Sequence, residues 1–222
     1  MKMYLSLLRK DLLIVKKYIL LTFLLIIVYS IMFLSSDGVK MGLAPLTMSY
    51  LWALYLLMQT LASSDAKYSK AEAVICATPY SRKAIVVSRY IFSFSIYVVV
   101  LIVYILMSLL INGVISLTFV DATLALLVGN IMLGITQPLT YRFGGEKARY
   151  IIVTLILLAT IGIQSAFFIV QSASSIFFDE IDYSSFLKMP TALIGVILLL
   201  LTVIVVTISA FISVSIYKKK EF

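Results

Sequence analysis

The stretch that decides the fold is DAKYSKAEAVICATPYSRKAIVVSR, residues 65–89. This polar interval lies between two uncharged, largely apolar runs. Within it, the helix-forming run AEAVICA at 71–77 is followed by Pro79, which cannot continue a helix and pushes Thr78 towards extended geometry. The pattern predicts a short helix at a membrane surface, followed by a sharp turn back into the bilayer.

The composition places the whole chain in the membrane. Of the 222 residues, 63% are hydrophobic and 13% are charged, and the mean hydropathy is +1.13. Soluble domains are about half apolar and about a quarter charged. The net charge of +8 is distributed in short clusters between apolar runs. That arrangement is typical of membrane topology signals, so no nucleic-acid partner is predicted.

Several chemistries are excluded by residue usage. The single cysteine, Cys76, allows no intrachain disulfide, and the lack of histidine excludes HExxH metal sites and Ser-His-Asp triads. The GGEK sequence at 144–147 lacks the spacing of a phosphate-binding loop. We therefore predict that the chain is not an enzyme and binds no cofactor or metal of its own.

The first 17 residues form a basic, periodically apolar segment. Leu5, Leu8, Leu12 and Val15 recur at spacings of three and four, which favours an interfacial amphipathic helix at the membrane surface. A plain cytoplasmic extension of the first span is the alternative. No A-x-A cleavage site follows the first apolar run, so this span is predicted to remain uncleaved.

The apolar runs predict an all-α integral membrane protein with six transmembrane helices, because about 20 residues cross one bilayer core. It forms a single transmembrane domain, residues 1–222, with spans at about 18–36, 42–63, 86–112, 120–138, 150–171 and 191–217. The N-terminus, the 65–89 loop, the 142–149 loop and the C-terminus hold five, five, three and three Lys/Arg, sixteen of the 18 in the chain. Positive segments remain inside, so both termini are predicted to be cytoplasmic.

Apart from Arg89 and Asp121 close to the ends of two spans, the polar residues within the spans are uncharged, which argues against proton- or sodium-coupled transport. They leave two interpretations open, a substrate path or ordinary hydrogen bonding and packing between helices. The outer cluster Asp179, Glu180 and Asp182 is either an attraction site for a cationic peptide or a solvated loop. The candidate path residues are Tyr55, Gln59, Gln164, Phe167, Phe168 and Gln171.

Two cytoplasmic segments resemble those of a known family. Glu72, followed by TPYSRK at 78–83 and a basic residue near the start of the third helix, resembles the first cytoplasmic loop of type-2 ATP-binding-cassette (ABC) transporter permeases. PLTYRFG at 138–144, followed by Lys147-Ala148-Arg149, resembles their second inner loop. The small permeases that export phenol-soluble modulins and other antimicrobial peptides, with a separate ATPase chain, are the most similar.

The resemblance implies a transporter with four subunits in a bacterial plasma membrane. Two permeases, identical or different, would each sit on an ATPase subunit, which binds ATP and Mg and receives a short cytoplasmic coupling helix, here residues 69–80. Glu72 would face basic residues of the ATPase, and Val74 and Ile75 would enter its groove. Arg82 and Lys83 would hold the turn to lipid phosphates or to the partner, or would act only as topological anchors. The coupling residues are Lys70, Glu72, Val74, Ile75, Pro79, Arg82 and Lys83.

The expected function is export of amphipathic or cytolytic peptides. The alternatives are export of small hydrophobic drugs or antibiotics, and a non-transporting immunity or sensor subunit.

Overall fold

The computed structural model describes residues 2–34, 43–67, 81–110, 117–173 and 191–219. Each regular element in these ranges is an α-helix. The helices are α1 (Lys2–Leu34), α2 (Leu43–Lys67), α3 (Arg82–Leu110), α4 (Phe119–Phe143), α5 (Gly145–Ala173) and α6 (Thr191–Lys219). Four of them, α1, α3, α4 and α6, contain stretches long and apolar enough to cross a bilayer. The chain is therefore a multi-pass helical membrane protein, and the count of six spans stays a prediction.

Helix α2 is the centre of the bundle. It packs against α1, α3, α4 and α5, and every residue from 44 to 51 is buried. Its polar side chains Thr47, Ser49 and Tyr50 therefore contact other helices rather than lipid. A helix surrounded by protein does not need the continuous apolar surface that a lipid-facing helix needs. This position explains why α2 is less hydrophobic on average than α6.

Contacts near the helix ends show that the six helices alternate in direction. One side of the bundle holds the beginnings of α1, α3 and α5 together with the ends of α2, α4 and α6, and we call it the basic end. The pairs that join these ends are Asp11 with Arg89, Ala62 with Gly145, and Tyr141 with Tyr217. At the opposite side, Phe119 at the start of α4 lies against Gly195 at the start of α6.

Helix α1 is continuous through the segment in which we predicted an interfacial helix. It runs from Lys2 to Leu34 without a break after Lys17, so a separate amphipathic helix is not confirmed. Leu12, one of the four apolar positions used for that prediction, is 48% exposed. Val15, another of the four, is buried on the face of α1 that enters the bundle, together with Leu7, Asp11, Thr22 and Ile26.

A single glycine separates α4 from α5. Gly144 has φ +80° and ψ 158°, a backbone conformation that is essentially restricted to glycine. Its N–H donates the last helical hydrogen bond of α4, to the Thr140 carbonyl at 3.0 Å, and its non-helical backbone then ends the helix. The segment 142–149, which we predicted as a polar loop, is therefore a tight corner between two helices. Helix α4 also continues past Pro138 to Phe143.

Candidate functional site

The predicted coupling segment begins and ends at the basic end of the bundle. Helix α2 ends at Lys67 and α3 begins at Arg82. The connecting residues 68–80 lie outside the described residues, and so do the predicted coupling residues Lys70, Glu72, Val74, Ile75 and Pro79. Of this set, the structure describes only the backbone of Arg82 and the whole of Lys83, whose side chain is exposed.

Ser81 determines where α3 begins. Its hydroxyl oxygen accepts a hydrogen bond of 3.2 Å from the Ala84 N–H, and its carbonyl oxygen accepts from the same N–H at 2.8 Å. A serine that satisfies an N–H of the first turn is a typical N-cap. The chain therefore enters α3 directly after the predicted coupling segment, with no intervening loop.

A buried ion pair connects α1 to the first part of α3. Arg89 Nε lies 3.7 Å from Asp11 Oδ2, and the two side chains are 9% and 1% exposed. This distance exceeds that of a charge-assisted hydrogen bond, about 2.7–2.9 Å. Lys10 Nζ lies 3.4 Å from Asp11 Oδ1, yet this buried oxygen has no hydrogen-bond partner among the described residues. The carboxylate is thus neutralised by two cations without being fully hydrogen-bonded.

Arg89 also lines a cavity near the basic end, between α2, α3, α4 and α5. The cavity holds about 40 Å³ of free space. A single water needs about 10–15 Å³, so this space fits a small polar group and not a peptide. The polar lining residues are Tyr55, Gln59, Arg89, Thr136, Gln137, Thr140 and Tyr141, and the apolar ones are Leu51, Leu54, Met58, Ala62, Met132, Ile152 and Ile156.

The side chains of α4 divide the polar wall into donors and acceptors. The hydroxyls of Thr136 and Thr140 donate to backbone carbonyls of their own helix, at 3.3 and 2.8 Å, so their oxygens keep acceptor capacity. Gln137 Nε2 donates to Met58 Sδ at 3.4 Å. A thioether is a weak acceptor. The Gln137 amide would therefore gain from a stronger acceptor placed in the cavity.

Two further cavities are apolar grooves on the outer surface of the bundle. The larger, about 420 Å³, lies between α3, α4 and α6, and the smaller, about 180 Å³, lies between α1, α2 and α3. Their rims include exposed apolar side chains such as Phe94, Val203 and Phe23. Such surfaces suit lipid chains.

The model of the ABC-2 family transporter proteins matches residues 6–218. The chain belongs to the ABC-2 transporter family. No curated protein and no solved structure matches the chain. The family assignment confirms the predicted type-2 ABC permease, its membrane location and its ABC ATPase partner. An ABC-2 membrane component has no ATPase site of its own, in agreement with the expectation that ATP is hydrolysed by the partner.

The cavity of this ABC-2 protein includes two of the six predicted path residues. Tyr55 and Gln59 lie on its wall. The remaining four, Gln164, Phe167, Phe168 and Gln171, belong to the second half of α5, and their side chains lie outside the described residues. The assignment of all six to a substrate path stays a prediction.

Sequence analysis missed Asp11, which the structure places at the centre of the α1–α3 contact. Two signals were available for this residue. Asp11 is the only acidic residue among five cations in the first 17 residues. It also stands four residues from both Leu7 and Val15, so a helix places it on the same face as these buried residues. Arg89 was treated as a topology signal, and its burial depends on the packing of α1 against α3.

Proposed function

We propose that this ABC-2 protein is the permease subunit of an exporter for amphipathic or cytolytic peptides. It assembles with a second permease, identical or different, and is energised by separate ATPase subunits. In this proposal the basic end faces the cytoplasm of a bacterial cell, because sixteen of the 18 Lys/Arg lie in segments that begin or end there.

The position of the connection between α2 and α3 carries this proposal. Helix α2 ends at Lys67 and α3 begins after Ser81, both at the basic end, and residues 68–80 connect these two points in the sequence. A soluble ATPase reaches only surfaces outside the bilayer, so a segment at this position is available to it. Glu72, Val74 and Ile75 provide the charge and the apolar side chains for that contact.

The packing of α2 and α3 suggests how the movement spreads through the subunit. Helix α2 packs against four other helices, and α3 is connected to α1 by the Asp11–Arg89 pair. A displacement of the segment between them therefore acts on most of the bundle. Closure of the ATPase pair on ATP would shift the two permeases between two rigid-body packings, inward-open and outward-open.

The size of the internal cavity favours a path between two permeases. At about 40 Å³, the cavity inside one subunit cannot hold a helical peptide. A second permease would supply the other wall of a wider path, which Phe167, Phe168 and Gln171 could line. The outer cluster Asp179, Glu180 and Asp182 would attract cationic peptides at the exit.

Transport in inside-out vesicles tests the proposal. The chain and its ATPase should accumulate a fluorescent amphipathic helical peptide in the presence of ATP, and Ile75→Asp should abolish this uptake. Ile181→Asp, the same change in the predicted outer loop, is the matched control and should leave uptake intact. Uptake of a small hydrophobic dye without peptide uptake would favour the drug exporter. ATP-independent resistance to the peptide, without uptake, would favour the immunity subunit.

A further inference from the structure

The larger outer groove, between α3, α4 and α6, has the size of a ligand site. Its free space of about 420 Å³ falls within the range of about 300–1,000 Å³ for small-molecule pockets. Phe94 and Val203 on its wall are 54% and 60% exposed, so the groove opens sideways, towards the lipid. Its lining includes neither Tyr55 nor Gln59, the two predicted path residues whose side chains the structure describes.

The polar side chains on the wall of this groove bond within the protein. The hydroxyls of Thr202 and Thr207 and the amide of Asn130 donate to backbone carbonyls of their own helices, at 2.8 to 2.9 Å. The Tyr90 hydroxyl lies 2.6 Å from Ser209 Oγ. The groove therefore offers an occupant mainly hydrocarbon surface. A polar substrate gains little from such a wall, whereas an acyl chain matches it.

The groove is long and narrow. It follows α6 from Leu199 to Ala210, which is about 16 Å or three turns of helix. A helix with its side chains is about 10–12 Å across, so one turn alone fills roughly 400–600 Å³. The whole groove thus has space for about one turn of a partner helix. Its cross-section fits a single acyl chain better than a second protein helix.

Lysines stand beyond the groove at the basic end. Lys83 precedes Val87 and Phe94 of the wall by four and eleven residues, so the three share one face of α3. The Lys83 side chain is exposed. On α6, Lys218 follows Thr207 by eleven residues, about three turns, and lies on the same side of that helix. Lys218 also interacts within the protein, so Lys83 is the principal cation beside the groove.

We propose that this groove binds an anionic phospholipid of the leaflet at the basic end. One acyl chain lies in the groove, and the phosphate of the head group contacts Lys83. Lipid phosphate was one of the partners predicted for Lys83, and the apolar groove along the same helix face favours it. The site belongs to the outer surface of one subunit, so it does not depend on which substrate is exported.

Quenching of tryptophan fluorescence by brominated lipids tests the site. Trp52 on α2 is the single tryptophan of the chain, so Trp52→Phe combined with Phe94→Trp places the reporter on the groove wall. The full-length protein is reconstituted in vesicles with either brominated phosphatidylglycerol or brominated phosphatidylcholine. Phosphatidylglycerol should bind about fivefold more tightly, the factor expected for one lysine near an anionic lipid surface.

Two pairs of variants in this reporter protein separate the lysine from the groove. Lys83→Gln should abolish the preference for phosphatidylglycerol, and Lys147→Gln, at an exposed lysine of α5, should leave it unchanged. Thr207→Phe fills the groove and keeps Lys83, and it should also abolish the preference. Thr154→Phe is its matched control, since Thr154 is an exposed threonine of α5 that bonds to its own helix. All four positions are exposed, so thermal unfolding should be unchanged.

Three results would overturn the proposal. Equal affinity of the two lipids for the reporter protein would show that the groove does not select an anionic head. A preference that survives Thr207→Phe, or that is lost in Lys147→Gln, would come from the general surface charge of the basic end. Weak quenching by both lipids would show that protein, such as a second copy of the chain, covers the groove instead.

Discussion

Ser209 of α6 donates a hydrogen bond of 3.0 Å to the carbonyl oxygen of Gly134 in α4. This carbonyl lacks its helical donor, because Pro138, four residues later, has no N–H. The Tyr90 hydroxyl lies 2.6 Å from Ser209 Oγ and 2.9 Å from Ser213 Oγ. Since the Ser209 proton goes to Gly134, Tyr90 donates to Ser209 and accepts from Ser213. One chain of hydrogen bonds thus joins α3, α4 and α6.

Removal of the Ser209 hydroxyl tests how far the stability of the bundle depends on its hydrogen bond to the Gly134 carbonyl. Ser209→Ala leaves the Gly134 carbonyl unsatisfied and should lower the free energy of unfolding by about 1–2 kcal/mol. In the Pro138→Ala background, the helix supplies its own donor, so the same change should cost less. Unfolding in mixed micelles with increasing dodecyl sulfate measures both values. An equal cost in the two backgrounds would contradict the role assigned to Ser209.

The Asp11–Arg89 pair should behave as a coupled unit in stability. Asp11→Leu alone removes the carboxylate that faces the buried Arg89 guanidinium. Loss of one partner of a buried pair costs about 3–5 kcal/mol. The double variant Asp11→Leu/Arg89→Leu removes both charges and should recover most of that loss. Lys83→Leu, at an exposed position of the same helix, is the control and should change unfolding by less than about 0.5 kcal/mol. Additive losses in the double variant would show that the pair is not coupled.

Replacement of glycine by alanine should have opposite effects on stability at Gly144 and Gly162. A side chain at Gly144 would meet no atom within 4 Å, but its φ of +80° is strained for alanine, so Gly144→Ala should destabilise by about 1–3 kcal/mol. Gly162 also has open space around it and lies within α5. Gly162→Ala should stabilise by about 0.5–1 kcal/mol, since alanine favours the helix. Thermal unfolding of both variants in detergent measures the difference, and a shift in the same direction would contradict it.

Cys76 is the single cysteine in the chain, so a thiol reagent can report which side of the membrane the 65–89 segment faces without an introduced cysteine. A membrane-impermeant maleimide should label it in inside-out vesicles and not in intact cells, and the bound ATPase should protect it. Cys76→Ser/Ser184→Cys moves the thiol to the predicted outer loop and should reverse the pattern. Labelling of Cys76 in intact cells would place the segment outside and contradict the coupling role.

The class of this protein was readable from its sequence, for a physical reason. Lipid requires long apolar helices, and insertion requires cations on one side, so both properties are written directly into composition and spacing. Two loop motifs, at 72–90 and 138–149, were sufficient for the resemblance to type-2 ABC permeases, which the family match to residues 6–218 confirmed. These features depend on the chain and the bilayer, and not on how the helices pack.

The faces along which the helices meet were decided only in the tertiary structure. Lipid chains are as apolar as a protein interior, so a membrane helix shows little hydrophobic contrast between its buried and exposed sides. Leu12 and Val15 look equivalent in the sequence, yet Leu12 is exposed and Val15 is buried. The Asp11–Arg89 pair and the Ser209–Gly134 bond join residues far apart in the chain. Close packing of α1, α3, α4 and α6 brings these partners together, and no local pattern encodes that approach.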